Sequence, residues 1–309
     1  MEWGGLASPP TEMKKMYEQD KNVYNTDIIH FKGKENIMKM HEELENEIAS
    51  TKVEDGSCAM WWLGQMGYVL KFDDNKLIYL DAYLTDNPRR TVPPMLTIEE
   101  LGEPLLIMGS HNHSDHIDRP IWKEIAQINK DVTFVVPEIH KGIVSELGID
   151  ADRIDGLNDL MSIDCDGITI TGVASAHEFL DKDEDSGLYP FLGFIIEYNG
   201  VTIYHTGDTC RYEGLFPKIK GFKPDVMILP INGRDAVRLE SGCIGNLTYQ
   251  EAADFAGYVK PQLTIPGHFE MFAHNAEDPD LFVEYMRVKY PELNVTVPEH
   301  GVKIIINAK

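Results

Sequence analysis

Positive charge is scarce in this sequence. It has 28 Lys and Arg against 51 Asp and Glu, which gives a formal net charge of −23 at pH 7. Nucleic-acid binding requires basic patches that displace counterions from phosphates, so this balance argues against a nucleic-acid partner. Binding to an anionic membrane surface is disfavoured for the same reason. We therefore expect a small-molecule substrate as the partner, and neither nucleic acid nor a membrane.

Cysteine and long apolar runs are also scarce. The four cysteines, Cys58, Cys165, Cys210 and Cys243, include no Cys-x-x-Cys pair, whereas a disulfide framework of a small secreted domain would be denser. No apolar run approaches the roughly 18 residues that span a bilayer. The first residues lack the basic and apolar regions of a signal peptide. We therefore expect a cytoplasmic protein.

The remaining composition is that of a globular protein, with 43% hydrophobic and 26% charged residues. From about residue 58, short apolar runs separated by turn residues form two blocks, each with strands first and then mixed strands and helices. This order predicts an α/β (α+β) fold in which two sheets pack face to face with helices outside.

A charged segment precedes the first predicted strand. Residues Glu35–Ser50 carry apolar side chains at a spacing of 3.6 residues, which predicts an amphipathic helix that docks on the domain. A contact in a homo-oligomer is the alternative role of this stripe. We therefore divide the chain into an N-terminal extension with one helix, residues 1–55, and one compact domain, residues 56–309.

The segment Gly109–Asp118 contains three histidines and a carboxylate within six residues, after a short apolar strand. On an extended backbone, residues two apart point the same way, so His111 and His113 can converge on one cation. Asp115 and His116 then turn toward a neighbouring position. Imidazole nitrogen and carboxylate oxygen suit Zn²⁺, Mn²⁺ or Fe²⁺. The segment therefore predicts a metal site.

Three later residues occupy similar positions, each at the end of an apolar strand: His177, Asp208 and His268. Taken singly, each could be an ordinary turn or surface residue. Four ligands from one segment do not complete a site for two metals, however. The shared placement therefore predicts that these three residues complete it.

The order of these motifs resembles the metallo-β-lactamase fold superfamily, from about residue 58 to the C-terminus. The resemblance implies a four-layer αββα sandwich and hydrolysis by a metal-activated hydroxide. It also implies two divalent metal ions, Zn or Mn with Fe possible. In this resemblance, one metal is held by His111, His113 and His177, and the second by Asp115, His116 and His268. Asp208 bridges the two metals, and Asp81 orients the ligands.

Within that superfamily, the chain is most similar to L-ascorbate-6-phosphate lactonase-like proteins. Ala59–Gly64, His113–Asp118 and Tyr204–Asp208 carry the similarity. His177 departs from it, because that family has aspartate there, and around this position the chain resembles the broader metal-dependent hydrolases. The resemblance implies a lactonase that acts on a sugar-acid lactone. A phosphodiesterase or phospholipase-D-like hydrolase with the same dinuclear site is the alternative.

Further residues have proposed roles in catalysis or substrate binding. Asp115 can orient the hydroxide as well as bind metal, and His205 and Glu270 are candidate proton donors to the leaving oxygen. Arg234 and Arg211 are candidates for binding a phosphorylated substrate. Simpler roles stay open: a packed strand position for His205, a solvated loop position for Glu270, and surface positions for both arginines.

Two rival functions predict different sequences. Di-iron reduction of oxygen or nitric oxide on this fold expects Glu at position 113 and an attached flavin domain, whereas the chain has His113. A non-catalytic scaffold usually lacks some of the ligands. The sequence therefore favours a hydrolase.

Overall fold

Two β-sheets form the centre of the computed structural model, which describes residues 38–73 and 76–308. The strands of the first sheet are β1 Ser57–Gly64, β2 Gly67–Lys71, β3 Leu77–Leu80, β4 Leu106–Met108, β5 Thr133–Pro137, β6 Ile154–Leu157 and β13 Lys303–Asn307. Their spatial order is β13-β1-β2-β3-β4-β5-β6. The strands of the second sheet are β7 Ser162–Cys165, β8 Ile168–Ala174, β9 Leu192–Tyr198, β10 Val201–His205, β11 Val226–Pro230 and β12 Leu263–Gly267. Their order is β12-β11-β10-β9-β8-β7.

The helices accompany this pair of sheets. They are α1 His41–Ser50, α2 Arg119–Ile128, α3 Lys141–Ser145, α4 Leu215–Phe222, α5 Ala236–Glu240, α6 Tyr249–Val259 and α7 Pro279–Lys289. Thr248 and Glu251 form a capping box that starts α6, because each satisfies a backbone N–H that the first helical turn leaves unpaired. Among the described residues, no helix is long and apolar enough to cross a membrane.

Strand β1 shows that the first sheet is covered on both faces. Successive side chains of a strand point to opposite faces, and both Trp61 and Trp62 are fully buried. Trp62 belongs to the hydrophobic cluster that includes Phe194 of the second sheet. Trp61 belongs to a separate cluster that includes Leu44 of α1 and Trp122 of α2. The expected sandwich of two sheets with helices outside is therefore confirmed.

The helical elements follow the sequence prediction with some differences. Of the helix predicted over Glu35–Ser50, residues 38–50 are described, and the helix begins only at His41 because Met40 has an extended backbone. Residues 1–37 lie outside the described residues. A separate N-terminal extension ending at residue 55 stays a prediction. The sequence also predicts a helix over Glu138–Leu147, which the structure divides into a 3₁₀ turn, Glu138–His140, and the short α3. Strand β6 and helices α4 and α5 were not predicted from the sequence.

Strand directions bring the candidate residues to one edge of the sandwich. Strands β3 to β6 run parallel in the first sheet, and β10 to β12 run parallel in the second. Parallel strands end at the same sheet edge, where open α/β folds place their functional loops. Asp81 follows β3 and the histidine-rich segment follows β4. Asp208 follows β10, and His268 follows β12.

Candidate metal centre

The seven residues predicted to bind metal meet at this edge of the sandwich. In each of three overlapping sets, the nitrogen and oxygen atoms that could serve as ligands all lie within 4.8 Å of one another. The three-histidine group is His111, His113 and His177, the aspartate group is Asp115, His116 and His268, and the third set is His111, His116 and Asp208. The structure therefore places the two predicted ligand groups side by side.

Asp208 lies between the two groups. Its Oδ2 is 3.7 Å from Nε2 of His177 and 3.2 Å from Nε2 of His268. Its Oδ1 is 3.6 Å from Nε2 of His116. The side chain is 4% exposed, so the carboxylate faces the histidines of both groups and almost no solvent.

Asp81 fixes the base of the histidine-rich segment. Its carboxylate accepts hydrogen bonds from the backbone N–H and the hydroxyl of Ser110, at 2.7 and 2.6 Å. It also accepts one from Nδ1 of His116, at 2.7 Å. A proton held on Nδ1 leaves Nε2 of that ring free to bind a cation, which is how carboxylates orient histidine ligands. The predicted orienting role of Asp81 agrees with these contacts.

Gln65 contacts the site, although it is not among the residues predicted from the sequence. Its backbone carbonyl accepts the N–H of His268 at 3.0 Å, and its side-chain Nε2 lies 3.4 Å from Nδ1 of His268. Its Oε1 is buried with no partner among the described residues. A half turn of this amide would let Oε1 accept a hydrogen bond from the N–H at Nδ1, which would leave Nε2 of His268 without a proton and able to bind a cation. The Gly-Gln-Met-Gly turn after β1 was the available signal, because tight turns near a sheet edge often carry site residues.

The loop backbone permits this close approach at Gly207. Its φ is +58°, and a Cβ there would lie 2.5 Å from the carbonyl oxygen of Leu192 and 2.9 Å from Cβ of Ser110. A larger side chain would therefore push the segment that carries Asp208 away from the histidine-rich segment.

Burial and neighbouring charges shift the pKa values of the histidines in opposite directions. Burial lowers the pKa of His177 to about 4 and holds the pKa of His111 well below its usual value. Burial acts the same way on His116, but the carboxylates of Asp81, Asp208 and Asp115 outweigh it and raise the pKa of that imidazole to about 10. Burial opposes ionisation of Asp208, yet the neighbouring histidines hold its pKa well below the usual range.

These residues fit divalent cations. Nε2 of His116 and Oδ1 of Asp208 are buried and have no hydrogen-bond partner among the described residues, although buried polar atoms are almost always paired because leaving them unpaired costs about 1–3 kcal/mol. Both atoms face the centre of the site, where a cation would satisfy them. Imidazole nitrogens with carboxylate oxygens are a donor set that Zn²⁺, Mn²⁺ and Fe²⁺ accept.

A cavity of about 290 Å³ opens above the site. Five of the seven candidate ligands line it, namely His113, Asp115, His177, Asp208 and His268. Its outer wall includes Tyr83, Asn87, Arg89, Cys243, Phe272 and His274. No local sequence pattern indicates these wall residues, because the loops that carry them approach the cavity only through the tertiary fold.

The two candidate proton donors do not lie in this cavity. His205 is fully buried, with Nε2 donating to the carbonyl of Met66 at 2.8 Å and Nδ1 accepting the N–H of Gly207 at 3.2 Å. The Glu270 carboxylate lies 3.5 Å from Nδ1 of His300. Neither side chain lines the cavity among the described residues, so the geometry does not place them for proton donation to a substrate.

The two arginines expected to bind substrate also lie elsewhere. The guanidinium of Arg234 forms a bidentate ion pair with Glu251, with both N–O distances 2.7 Å. The guanidinium of Arg211 lies 4.9 Å from the ring centroid of Phe216. These contacts occupy both side chains, and the cavity wall has Arg89 instead.

Sequence comparison identifies the family. The family described as "Beta-lactamase superfamily domain" matches residues 76–269. A UPF0173 metal-dependent hydrolase of Thermococcus kodakarensis is 30% identical over 242 residues, which cover 78% of this chain and 96% of that protein. Another, of Archaeoglobus fulgidus, is 27% identical over 243 residues, which cover 78% of this chain and 95% of the relative.

A solved structure supports the fold. Igni18, described as a metallo hydrolase from Ignicoccus hospitalis, matches with a TM-score of 0.65 and 21% identity, covering 82% of this chain and 100% of that one. The family match, the relatives and the shared fold agree with the geometry of the site. The chain therefore belongs to the β-lactamase superfamily, as a metal-dependent hydrolase of the UPF0173 family with the metallo-β-lactamase fold.

Proposed function

We propose that this hydrolase holds two divalent cations and opens a small lactone, such as that of a sugar acid. The observation that carries the dinuclear part is the position of Asp208, whose carboxylate lies within 3.7 Å of histidines from both ligand groups. A carboxylate in that position can bridge two cations. The three-histidine group would hold one cation and the aspartate group the other.

The chain's own side chains then have distinct tasks. Divalent cations bound here would lower the pKa of a water molecule and polarise the substrate oxygen. Asp115, whose side chain is 22% exposed, faces the cavity and can accept a proton from water on a carboxylate oxygen. It can then return that proton to the leaving oxygen of the ester. Asp208 is almost fully buried and keeps its negative charge, so its task is to bind the cations.

Two observations support a compact ester as the substrate. The cavity of about 290 Å³ is at the small end of the range for ligand sites, which suits a five- or six-membered ring. The motifs that resemble lactonase-like proteins also lie at the site, since His113–Asp118 and Asp208 both contribute to it. A cytoplasmic location is part of the same proposal.

Metal analysis combined with an activity panel tests the proposal. The purified protein should contain about two equivalents of Zn or Mn and hydrolyse lactones. D208A should lose metal from both groups and at least about 10³-fold in activity, because cation catalysis contributes several kcal/mol. R287A, an exposed position on α7, is the control and should retain both. Hydrolysis of phosphodiesters alone would contradict the lactonase proposal. Full metal content in D208A would contradict the assignment of Asp208 as a metal ligand.

A further inference from the structure

The cavity contains one cationic side chain that the mechanism does not use. Arg89 is the only Lys or Arg among the described residues that line the cavity. Its side chain is exposed, and the guanidinium makes no hydrogen bond, ion pair or ring contact with any described residue. The positive charge therefore faces the space where a substrate would lie.

The other arginines are occupied elsewhere in the part of the chain that the structure describes. Their partners are the carbonyl of Tyr83 for Arg90, Asn112 for Arg119, the carbonyl of Asn129 for Arg153, the ring of Phe216 for Arg211, Glu251 for Arg234 and Asp235 for Arg238. Only Arg287, on α7, also lacks a contact among the described residues. Arg89 is therefore the one arginine among the described residues that both lines the cavity and has a guanidinium without a partner.

The loop that carries Arg89 is held from within. The backbone N–H of Arg89 donates to Oδ1 of Asn87 at 2.9 Å. The neighbouring guanidinium of Arg90 donates to the carbonyl oxygens of Tyr83 and Val92, both at 2.8 Å. These bonds fix the turn, so the position from which the Arg89 side chain projects is defined before any ligand binds.

The same loop is also anchored on both sides of the site. Asp118, at the end of the histidine-rich segment, accepts the backbone N–H groups of Leu84 and Thr85 at 2.8 and 2.7 Å. On the other side, the N–H of Thr91 donates to the carbonyl of Met271 at 2.9 Å, just beyond His268. Anchoring of this kind lowers the ordering cost of binding. Asp118 and Arg90 therefore hold the loop that carries Arg89.

We infer that Arg89 binds an anionic group of the substrate, a carboxylate or a phosphate ester that is separate from the bond being broken. The guanidinium fork matches both groups with two parallel hydrogen bonds. A net charge of −23 repels anions in general, so a substrate with an anionic group needs a local cation to bind that group. This inference rests on the proposed function, because it assigns the reacting bond to the candidate ligands in the same cavity.

Calorimetric binding of matched pairs tests the inference without turnover. The first pair is 2-hydroxyglutarate and 4-hydroxybutyrate, the hydrolysis products of a carboxylated and a plain five-membered lactone, which differ by one carboxylate. The second pair is 3-phosphoglycerate and glycerate, which differ by one phosphate. The metal-loaded wild type should bind the more anionic member about ten- to a hundred-fold more tightly in at least one pair, as expected for hydrogen bonds to charged groups.

The variants assign the preference to Arg89. R89A should abolish the preference, R89K should retain part of it because lysine keeps the charge without the fork, and R287A should leave it unchanged. The pair that shows the preference tells a carboxylate ligand from a phosphate ligand. Equal affinities within both pairs, no binding by any member, or a preference that R89A retains would each overturn the inference.

The outcomes also separate this inference from the proposed function. If lactones are hydrolysed but no pair shows a preference that depends on Arg89, the anion site fails alone. If no lactone is hydrolysed, but the wild type shows the preference and R89A does not, the anion site stands and the lactonase proposal fails.

Discussion

The two ligand groups of the metal centre are held in different ways. In the aspartate group, the second ring nitrogen of each histidine has a polar neighbour, Asp81 at 2.7 Å from His116 and Gln65 at 3.4 Å from His268. The three-histidine group surrounds the ring of Phe191, with centroid distances of 5.4, 6.4 and 5.3 Å for His111, His113 and His177. His111 also has a polar neighbour, the Ser110 hydroxyl at 3.0 Å from its Nδ1. Nδ1 of His177 is buried without a partner among the described residues.

The difference separates two ways of preparing a ligand. A hydrogen bond to one nitrogen decides where the proton sits and so which nitrogen is left for a cation. Packing against an aromatic ring fixes the position of the imidazole but leaves the choice of nitrogen open. We therefore expect the aspartate group to respond mainly to polar substitutions behind it, and the three-histidine group mainly to a loss of packing volume.

The largest effect that would sharpen this comparison is expected at Asp81. D81A removes the acceptor for Nδ1 of His116, so the affinity of the aspartate group for metal should fall about 10- to 100-fold. The three-histidine group should lose less affinity, a few-fold, because Asp81 acts on it through the Ser110 hydroxyl beside Nδ1 of His111. Stepwise titration of the metal-free protein with Zn²⁺ and a competing chelator measures both affinities. An equal loss in the two groups would contradict the distinction.

Phe191 offers the reverse experiment. The side chain is partly buried, so F191A should lower the free energy of unfolding by about 2 kcal/mol, less than for a fully buried phenylalanine. It should also weaken metal binding by the three-histidine group more than by the aspartate group. F191L, which keeps most of the volume, is the matched control. If F191A weakened the aspartate group instead, the packing explanation would be wrong.

The smallest effect concerns pH in the metal-free protein. The folded-state pKa of His177 is lowered to about 4, so this group should reduce stability as pH falls from 6.5 toward 4, where only the unfolded chain takes up the proton. The pKa of His116 is raised to about 10. Its stabilising contribution is therefore complete below pH 6.5 and lost as pH rises toward 10.

Urea unfolding at a series of pH values measures these two contributions. H177Q should remove the loss of stability on the acid side, and H116Q should remove the loss of stability on the alkaline side. Each effect is the difference in unfolding free energy from the wild type. The comparison between the two groups would fail if the two variants changed the same side of the pH profile.

The sequence was sufficient to identify site residues that are spaced within one segment or that lie at the end of a strand. His111, His113 and His116 lie in one short motif, and the strands before His177, Asp208 and His268 were recognisable from their apolar runs. Parallel strand ends then bring these residues together. The family resemblance supplied their grouping, which the distances now match.

The sequence was insufficient to identify site residues whose role depends on contacts between distant segments or on the direction of a side chain. Gln65 and His268 are 203 residues apart, and no local pattern connects them. His205 does end a strand, but its ring turns inward to Met66 and Gly207. Arg89 was not distinguished from other arginines, because only the fold shows which guanidinium groups are already paired.

Trp62 can report on the aspartate group through its fluorescence. Its indole N–H donates to the carbonyl of Gln65 at 3.0 Å, the same oxygen that accepts the N–H of His268. Its ring also stacks on Phe269, with centroids 4.5 Å apart. Indole emission depends on its local electric field, so the intrinsic fluorescence of this chain should change colour or intensity when His268 changes its bonding. The fold thus contains a built-in fluorophore beside the aspartate group.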